Sequence, residues 1–249
     1  MKKVALLTGL IALTTFAGAI AQDYAREKRW ADEILPTIVV GEAVQIRAAS
    51  GRDFLALHTE MKGPKPALVL VHGVGVHPDH GVIGNLRDKL AAMGYTTLSI
   101  QMPVQAKEAQ MDDYYPKVFS DAADRLAKAA DWLRARGHTD VVLLSHSMGA
   151  WMANEYLDRA HANTPYKAWI VMGLTGSYSW TMRSYAFPVL DIYGEQDIAP
   201  TLGAAGRRKL ALKAANGSRQ VMLAGADHHY AGRENELATV IDGFLRERK

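Results

Sequence analysis

The fold of this chain is decided by the stretch Val141-Val-Leu-Leu-Ser-His-Ser-Met-Gly-Ala150. Its first four residues are apolar and two of them are β-branched, which predicts a short buried strand. Residues 150–157 predict a helix, and the turn between the two elements runs from Ser145 to Gly149. A strand, a five-residue turn with small residues at both ends and a helix are typical of a nucleophile elbow. We therefore expect Ser147 on a sharp, strained turn, with Ser145 in the position where glycine is usual.

The rest of the sequence alternates between apolar runs and helical segments. The continuous apolar run at residues 67–71 predicts a strand covered on both faces. Residues 82–93 predict a helix that ends at Gly94, and this order recurs along the chain. Earlier strands, expected to form an antiparallel edge, are predicted at residues 37–40, 44–48 and 51–58. The pattern predicts a single α/β domain, with a mostly parallel, doubly wound sheet of about eight strands flanked by helices.

A serine nucleophile needs a base, and the base needs an acid that orients it. In a fold of this kind the acid follows a late strand. Asp197 lies after the strand and glycine turn of residues 189–194, so we expect it to be the acid. Glu195 is the closer alternative, whereas Asp191 lies within the strand, where alternation buries it or turns it away.

The base is expected after the last strand, where two histidines are adjacent. His228 directly follows Ala226-Asp227 and has Tyr230 soon after it, so we expect it to be the base. His229 remains the alternative, because only one of the two adjacent side chains can point at the serine.

An oxyanion hole needs two backbone N–H groups that converge on one point. The N–H of Met148, at the start of a helix, is expected to be one donor. Val74, in the loop after the first parallel strand, is expected to supply the other, because the glycines on either side of it allow close approach to a ligand.

Two segments break the alternation, at residues 102–117 and 175–187, and either can form a pocket wall or a small lid. His72, Tyr178 and Trp180 are the residues expected at the pocket. The stretch His77-Pro-Asp-His80 contains metal-ligand residue types, but its proline restrains convergence, so we expect it to shape the loop rather than to bind a metal.

The first 21 of the 249 residues form a separate unit. Lys2 and Lys3 precede an apolar run that ends in Ala19-Ile-Ala21, the pattern of a cleaved signal peptide. We expect residues 1–21 to be removed and residues 22–249 to form the mature domain, in the periplasm or secreted, with no stable membrane anchor.

The charge and cysteine content of the chain limit its possible partners and chemistry. Without the two early lysines, 27 of the 29 basic residues remain against 26 acidic ones, which gives no argument for binding nucleic acid. There is no cysteine, so disulfides and thiol nucleophiles are excluded. We expect no cofactor and a small-molecule or acyl substrate, and the sequence leaves the oligomeric state open.

Four features together resemble the α/β-hydrolase superfamily: the His72-Gly73 loop, the elbow at Ser147, the turn from Gly194 to Asp197 and the Asp227-His228 pair. The resemblance spans residues 38–247. Residues 71–79, 86–87 and 94–103 are also similar to a family of secreted bacterial α/β-hydrolase-like proteins of unknown function. The resemblance implies roles for Ser147, Asp197 and His228 in a catalytic triad, but it implies no substrate.

These observations lead to two functional hypotheses. The first is a serine hydrolase that cleaves a carboxylic ester, thioester or amide through an acyl-enzyme. The alternative is a non-catalytic binding or envelope-assembly module on the same fold, since a fold does not fix a function.

Overall fold

The computed structural model describes residues 22–114, 117–178, 185–212 and 216–248. The strands are β1 (Glu42–Arg47), β2 (Asp53–Thr59), β3 (Ala67–Val71), β4 (Thr96–Ile100), β5 (Val141–His146), β6 (Ala168–Met172), β7 (Val189–Gln196) and β8 (Arg219–Asp227). The helices are α1 (Tyr24–Ile34), α2 (Gly81–Ala92), α3 (Met111–Tyr114), α4 (Phe119–Arg134), α5 (Met148–Ala160), α6 (Ala199–Ala211) and α7 (Glu234–Glu247). No helix of the described residues is both long and apolar enough to span a bilayer.

The eight strands form one sheet in the order β1-β2-β4-β3-β5-β6-β7-β8. β1 and β2 run antiparallel to their neighbours, while the strands from β4 to β8 are paired in parallel. This arrangement confirms the predicted single-domain α/β architecture with its antiparallel edge.

Helices cover both faces of the sheet, and β3 shows why. Val69 and Val71 belong to the apolar core on the side of α4 and α5. Leu68 and Leu70 belong to the core on the opposite side, which contains α2 and α7. Because successive side chains of a strand point to opposite faces, a strand buried on both sides must be apolar at every position.

The strand predicted at residues 37–40 is wrong. Leu35–Thr37 form a 3₁₀ turn that contains Pro36, and the side chain of Val39 is 90% exposed. Gly41, with a φ of +75°, turns the chain into β1, which pairs with β2 only from Glu42 onward. The β-branched residues before this turn lack a neighbouring strand to pair with, and strand propensity alone does not replace that pairing.

The parallel strands place their carboxyl ends along one edge of the sheet. The loop after β3, the turn after β5 and the segments after β7 and β8 all begin there. In open α/β sheets, ligands bind at this edge. The four sequence features singled out above therefore meet in space although they lie far apart in the chain.

Candidate active site

Ser147 occupies the turn between β5 and α5, and its backbone has a φ of +54°. A non-glycine residue rarely adopts this left-handed conformation, so the turn is strained. The N–H of Ser147 donates to the carbonyl of Met172 at 3.0 Å, and its own carbonyl accepts from Ala150 at 2.9 Å. These bonds on both sides hold the strained residue in place.

Small residues on the elbow are needed where the helix passes β3. A Cβ atom added to Gly149 would lie 2.3 Å from the carbonyl oxygen of His72 and 2.7 Å from a methyl carbon of Val71. Only glycine fits at this distance. Ser145, by contrast, stands where glycine is usual and is fully buried, and its hydroxyl accepts a 2.8 Å hydrogen bond from the indole of Trp169. The departure from the usual motif is therefore accommodated by a specific polar contact.

The structure brings Ser147, His228 and Asp197 together at the edge of the sheet. His228 Nε2 lies 2.9 Å from Ser147 Oγ, and His228 Nδ1 lies 2.6 Å from Asp197 Oδ1. A carboxylate only accepts, so Nδ1 carries the ring proton and the lone pair of Nε2 faces the hydroxyl. The alternative histidine, His229, is exposed, and its backbone N–H donates to Asp227 Oδ1 at 2.9 Å.

Asp197 is held by the chain around it. Its Oδ1 accepts from the N–H of Ile198 at 2.8 Å, and its Oδ2 accepts from the N–H of Gly194 at 3.2 Å. Burial raises the pKa of this carboxyl, but the hydrogen bonds from His228 and the two backbone N–H groups outweigh it and lower the pKa overall. The group is therefore an ionised acceptor at neutral pH, with a fixed orientation.

The other two acidic residues considered for this position lie elsewhere. Asp191 is buried within β7 and pairs with Arg208 at 2.9 Å. Glu195 is exposed, and its Oε2 accepts from the N–H of Gly225 at 2.8 Å. Neither is hydrogen-bonded to the imidazole of His228.

Two backbone segments flank the Ser147 side chain where an oxyanion would form. Met148 is the first residue of α5, so its N–H is one of the N–H groups of the first turn that have no acceptor within the helix. Val74 lies in the loop after β3 and lines the same cavity as Ser147. A Cβ atom at Gly73 would come within 3.3 Å of the Ser147 Cβ, so this loop passes close to the serine.

His72 does not line this cavity, contrary to expectation. It is 1% exposed, and its Nε2 accepts from the N–H of Met102 at 2.9 Å. Its Nδ1 therefore carries the proton and donates to the carbonyl of Gly73 at 2.9 Å. Burial lowers the pKa of His72 to about 3, so the ring stays neutral and fixes the loop after β3.

The cavity beside Ser147 has a volume of about 230 Å³. The apolar part of its wall consists of Val74, Val76, Val82, Ile83 and Ala231. Polar side chains also line it, namely His80, Asn85, His146, His229 and Glu234. A larger cavity of about 550 Å³ lies at the opposite ends of β5, β6 and β7, away from Ser147.

The aromatic residues expected at the pocket are placed differently. Tyr178 is buried in the core, with its ring 5.6 Å from that of Trp169 and edge-on to it, so it does not line the cavity beside Ser147. Trp180 lies outside the described residues.

His146, the residue before Ser147, contacts His228. Its Nε2 donates to the backbone carbonyl of His228 at 2.8 Å, and the two rings lie 5.1 Å apart. Burial, followed by the neighbouring His228, lowers the pKa of His146 to about 4. A neutral His146 therefore holds the backbone of the residue that faces the serine.

The described residues contain no group of three or more His, Cys, Asp or Glu side chains that could hold a metal ion. In the segment considered for this role, Asp79 pairs with Arg87 at 2.7 Å and its N–H donates to His77 at 3.3 Å. His80 precedes the first residue of α2.

One family model matches part of the chain. Residues 19–118 match the model of a family described as a protein of unknown function (DUF3530). A search of curated proteins finds no match.

Several solved structures are similar to the chain. Dienelactone hydrolase from Anabaena variabilis is 20% identical, with a TM-score of 0.66 over 83% of this chain and 96% of that one. Est1E from Butyrivibrio proteoclasticus is 17% identical, with a TM-score of 0.64 over 82% and 98%. An α/β serine hydrolase homologue from Coxiella burnetii is 20% identical, with a TM-score of 0.58 over 84% and 98%. These likenesses cover nearly the whole of each solved chain, and with the sheet described above they show that this chain has the α/β-hydrolase fold.

Proposed function

We propose that the chain is an exported serine hydrolase that cleaves a small carboxylic ester, thioester or amide through an acyl-enzyme. The observation that carries this proposal is the unbroken relay from Asp197 through His228 to Ser147, with hydrogen bonds of 2.6 and 2.9 Å. A serine, a histidine and an ionised carboxylate joined in this way have the arrangement that makes a hydroxyl nucleophilic.

In the first half of the proposed reaction, Ser147 Oγ attacks the carbonyl carbon while its proton passes to His228 Nε2. The imidazolium that forms is stabilised by Asp197. Negative charge on the former carbonyl oxygen is held by the N–H groups of Met148 and Val74, each contributing about 3 kcal/mol. The proton then moves from Nε2 to the leaving group as its bond to the carbonyl carbon breaks, and the acyl group remains on Ser147.

In the second half, a water molecule replaces the leaving group. His228 Nε2 takes a proton from this water as its oxygen attacks the acyl carbon. When the tetrahedral intermediate collapses, the proton returns to Ser147 Oγ and the carboxylic acid leaves. The cycle uses only side chains and backbone groups of this chain together with water.

The size of the cavity favours a small substrate. Pockets for drug-sized ligands have volumes of about 300–1,000 Å³, and the cavity beside Ser147 has about 230 Å³. Because the cavity is small and its wall is only partly apolar, we expect short acyl groups to be preferred over long ones. A series of p-nitrophenyl esters of increasing acyl length, with a thioester and a peptide amide beside it, tests this preference.

Labelling by a fluorophosphonate probe tests the catalytic role directly. The wild-type chain should be labelled at Ser147, and Ser147→Ala and His228→Ala should not be labelled. Asp197→Asn should slow labelling strongly, while Glu195→Gln serves as the matched control, because Glu195 is exposed and is not hydrogen-bonded to His228. Folded wild-type protein without any labelling would instead favour the binding or assembly module.

The proposal of export rests on the sequence of residues 1–21, with its lysines, apolar run and Ala19-Ile-Ala21 site. The mature protein is then residues 22–249, in the periplasm or secreted. Cell fractionation and mass spectrometry of the N-terminal peptide test this, with Gln22 expected as the first residue. Protein in the cytoplasm that begins at Met1 would contradict it.

A further inference from the structure

The loop that carries Val74 is held by side chains from several parts of the chain. From within, His72 Nδ1 donates to the carbonyl of Gly73 at 2.9 Å. From α1, the Arg26 side chain donates through Nη2 to the carbonyl of Gly75 at 3.1 Å. The Gly73 carbonyl shares a peptide group with the Val74 N–H, and the Gly75 carbonyl lies two peptide groups further along, so the loop is held both at Val74 and just after it.

Arg26 lies on α1 and joins two loops at once. Its Nη1 donates to the carbonyl of Gln105 at 2.9 Å while Nη2 holds Gly75. The guanidinium lies 4.6 Å from the ring centre of Trp30, on the same helix. Because the guanidinium is planar and rigid, two hydrogen bonds and the neighbouring indole ring fix its position more firmly than a single contact would.

The helix that carries Arg26 is itself anchored to α4 and to the segment after β4. The N–H of Asp23 donates to the carbonyl of Val104 at 2.7 Å. Glu27, on the next position of α1, forms a buried 2.9 Å ion pair with Arg125 of α4. Arg125 also donates to the carbonyl of Gln101 at 2.7 Å. Because α1 is itself held in place, Arg26 can hold the Gly75 carbonyl in a fixed position.

We propose that Arg26 is a positioning residue for the oxyanion hole and that α1 is part of the active-site framework. The inference rests on the proposed hydrolase function. Arg26 holds the turn at Gly75, whose φ is +64°, and so keeps the Val74 N–H directed at the oxyanion. Complete loss of one oxyanion donor costs about 10²–10³ in kcat. Loosening the donor without removing it should cost about tenfold.

The test compares Arg26→Ala with Arg29→Ala in the full mature chain, using p-nitrophenyl acetate as the substrate. Arg29 lies on the same helix, carries the same charge and is exposed, so it is a matched control. Arg26→Ala should lower kcat about tenfold and leave KM within about twofold, because the oxyanion contact is made in the transition state. Its affinity for a trifluoromethyl ketone, which binds as the tetrahedral adduct, should fall by the same factor.

Further readouts separate positioning from a general loss of structure. The thermal unfolding midpoint of Arg26→Ala should stay close to that of Arg29→Ala, and millimolar guanidinium should restore part of its kcat. A folded Arg26→Ala with wild-type kcat and wild-type ketone affinity would overturn the proposal. Where Arg26→Ala does not fold, Arg26→Gln takes its place, since its amide can donate to one of the two carbonyls, and the same comparisons decide.

Failure of the hydrolase proposal can be told apart from failure of this one. If the wild-type chain turns over no ester, thioester or amide and is not labelled by the fluorophosphonate, the hydrolase function is wrong, but the hold of Arg26 on the loop can still be measured. Deuterium exchange in the peptide covering residues 72–80 should then be faster in Arg26→Ala than in Arg29→Ala. Equal exchange rates would show that Arg26 does not hold the loop.

Discussion

Replacing Gly149 by alanine should separate close packing at the elbow from ordinary helix propensity. Gly149 is the second residue of α5, and alanine is intrinsically favoured over glycine in a helix by about 1 kcal/mol. The structure predicts the opposite effect, namely that alanine at position 149 lowers the free energy of unfolding. The new Cβ would lie 2.3 Å from the carbonyl oxygen of His72 and 3.0 Å from that of Val71, and neither backbone group can rotate away.

To relieve this contact, the end of β3 and the start of α5 must move apart by about 1 Å, since ordinary contacts are about 3.5 Å or longer. Overpacking of this kind costs about 1–3 kcal/mol, and we expect the upper end because backbone atoms are involved. For a chain of this size, about 3 kcal/mol corresponds to a fall of about 6–12 °C in the unfolding midpoint. The same movement displaces the loop of Val74 from Ser147, so fluorophosphonate labelling should slow as well.

The assay is thermal and urea unfolding followed by circular dichroism, with Gly206→Ala as the control. Gly206 lies in α6, and a Cβ atom there would meet nothing within 4 Å. That variant should therefore be as stable as the wild type or more stable by about 1 kcal/mol. If Gly149→Ala is as stable as Gly206→Ala and labels at the wild-type rate, the close-packing argument for this elbow is wrong.

Three further predictions concern the site and its surroundings. The pKa of Asp197 is lowered in the folded chain, so its carboxylate contributes stability that is complete above its ordinary pKa of 3.8. This stability is lost as the pH falls through the lower folded-state pKa. Urea unfolding at several pH values should show the loss in the wild type but not in Asp197→Asn. The pKa values of His72 and His146 are lowered to about 3 and about 4, so between pH 6.5 and about 4 only the unfolded chain takes up these protons. The chain should therefore become less stable as the pH falls through this range. NMR titration should find both rings neutral at about pH 6, and a protonated ring there would contradict the assignment. Ser145→Ala should cost about 1–3 kcal/mol in urea unfolding, because the buried indole N–H of Trp169 loses its acceptor, whereas an unchanged midpoint would show that the bond contributes nothing.

The order of elements could be predicted from the sequence because both faces of the central strands are buried. A run such as residues 67–71 leaves no polar position, so its interpretation does not depend on the neighbouring strands. The strand ends were harder to predict. β7 continues to Gln196, through the glycine turn expected at residue 194, and its pairing with β8 is irregular between Gly194 and Gln196. That extension depends on contacts between the two strands rather than on either sequence alone.

In the candidate site, motif and chain order indicated the three side chains that the structure brings together. The supporting contacts could not be predicted, because they join residues far apart in the chain. Arg26 and Gly75 are 49 positions apart, and Glu27 and Arg125 are 98 apart. His72 was misplaced for a related reason. Its position beside a glycine loop indicated a pocket wall, but its ring turns inward to bond the N–H of Met102.

In the proposed hydrolase, the left-handed backbone of Ser147 sets stability against activity at a single position. Glycine adopts this conformation without the cost that a side chain with a Cβ incurs, so a chain with glycine there would lose strain and its nucleophile together. Selection for thermal robustness alone would favour that exchange. A relative that kept the fold without the proposed chemistry would then be expected to carry glycine at this turn, whereas the proposed chemistry requires serine there.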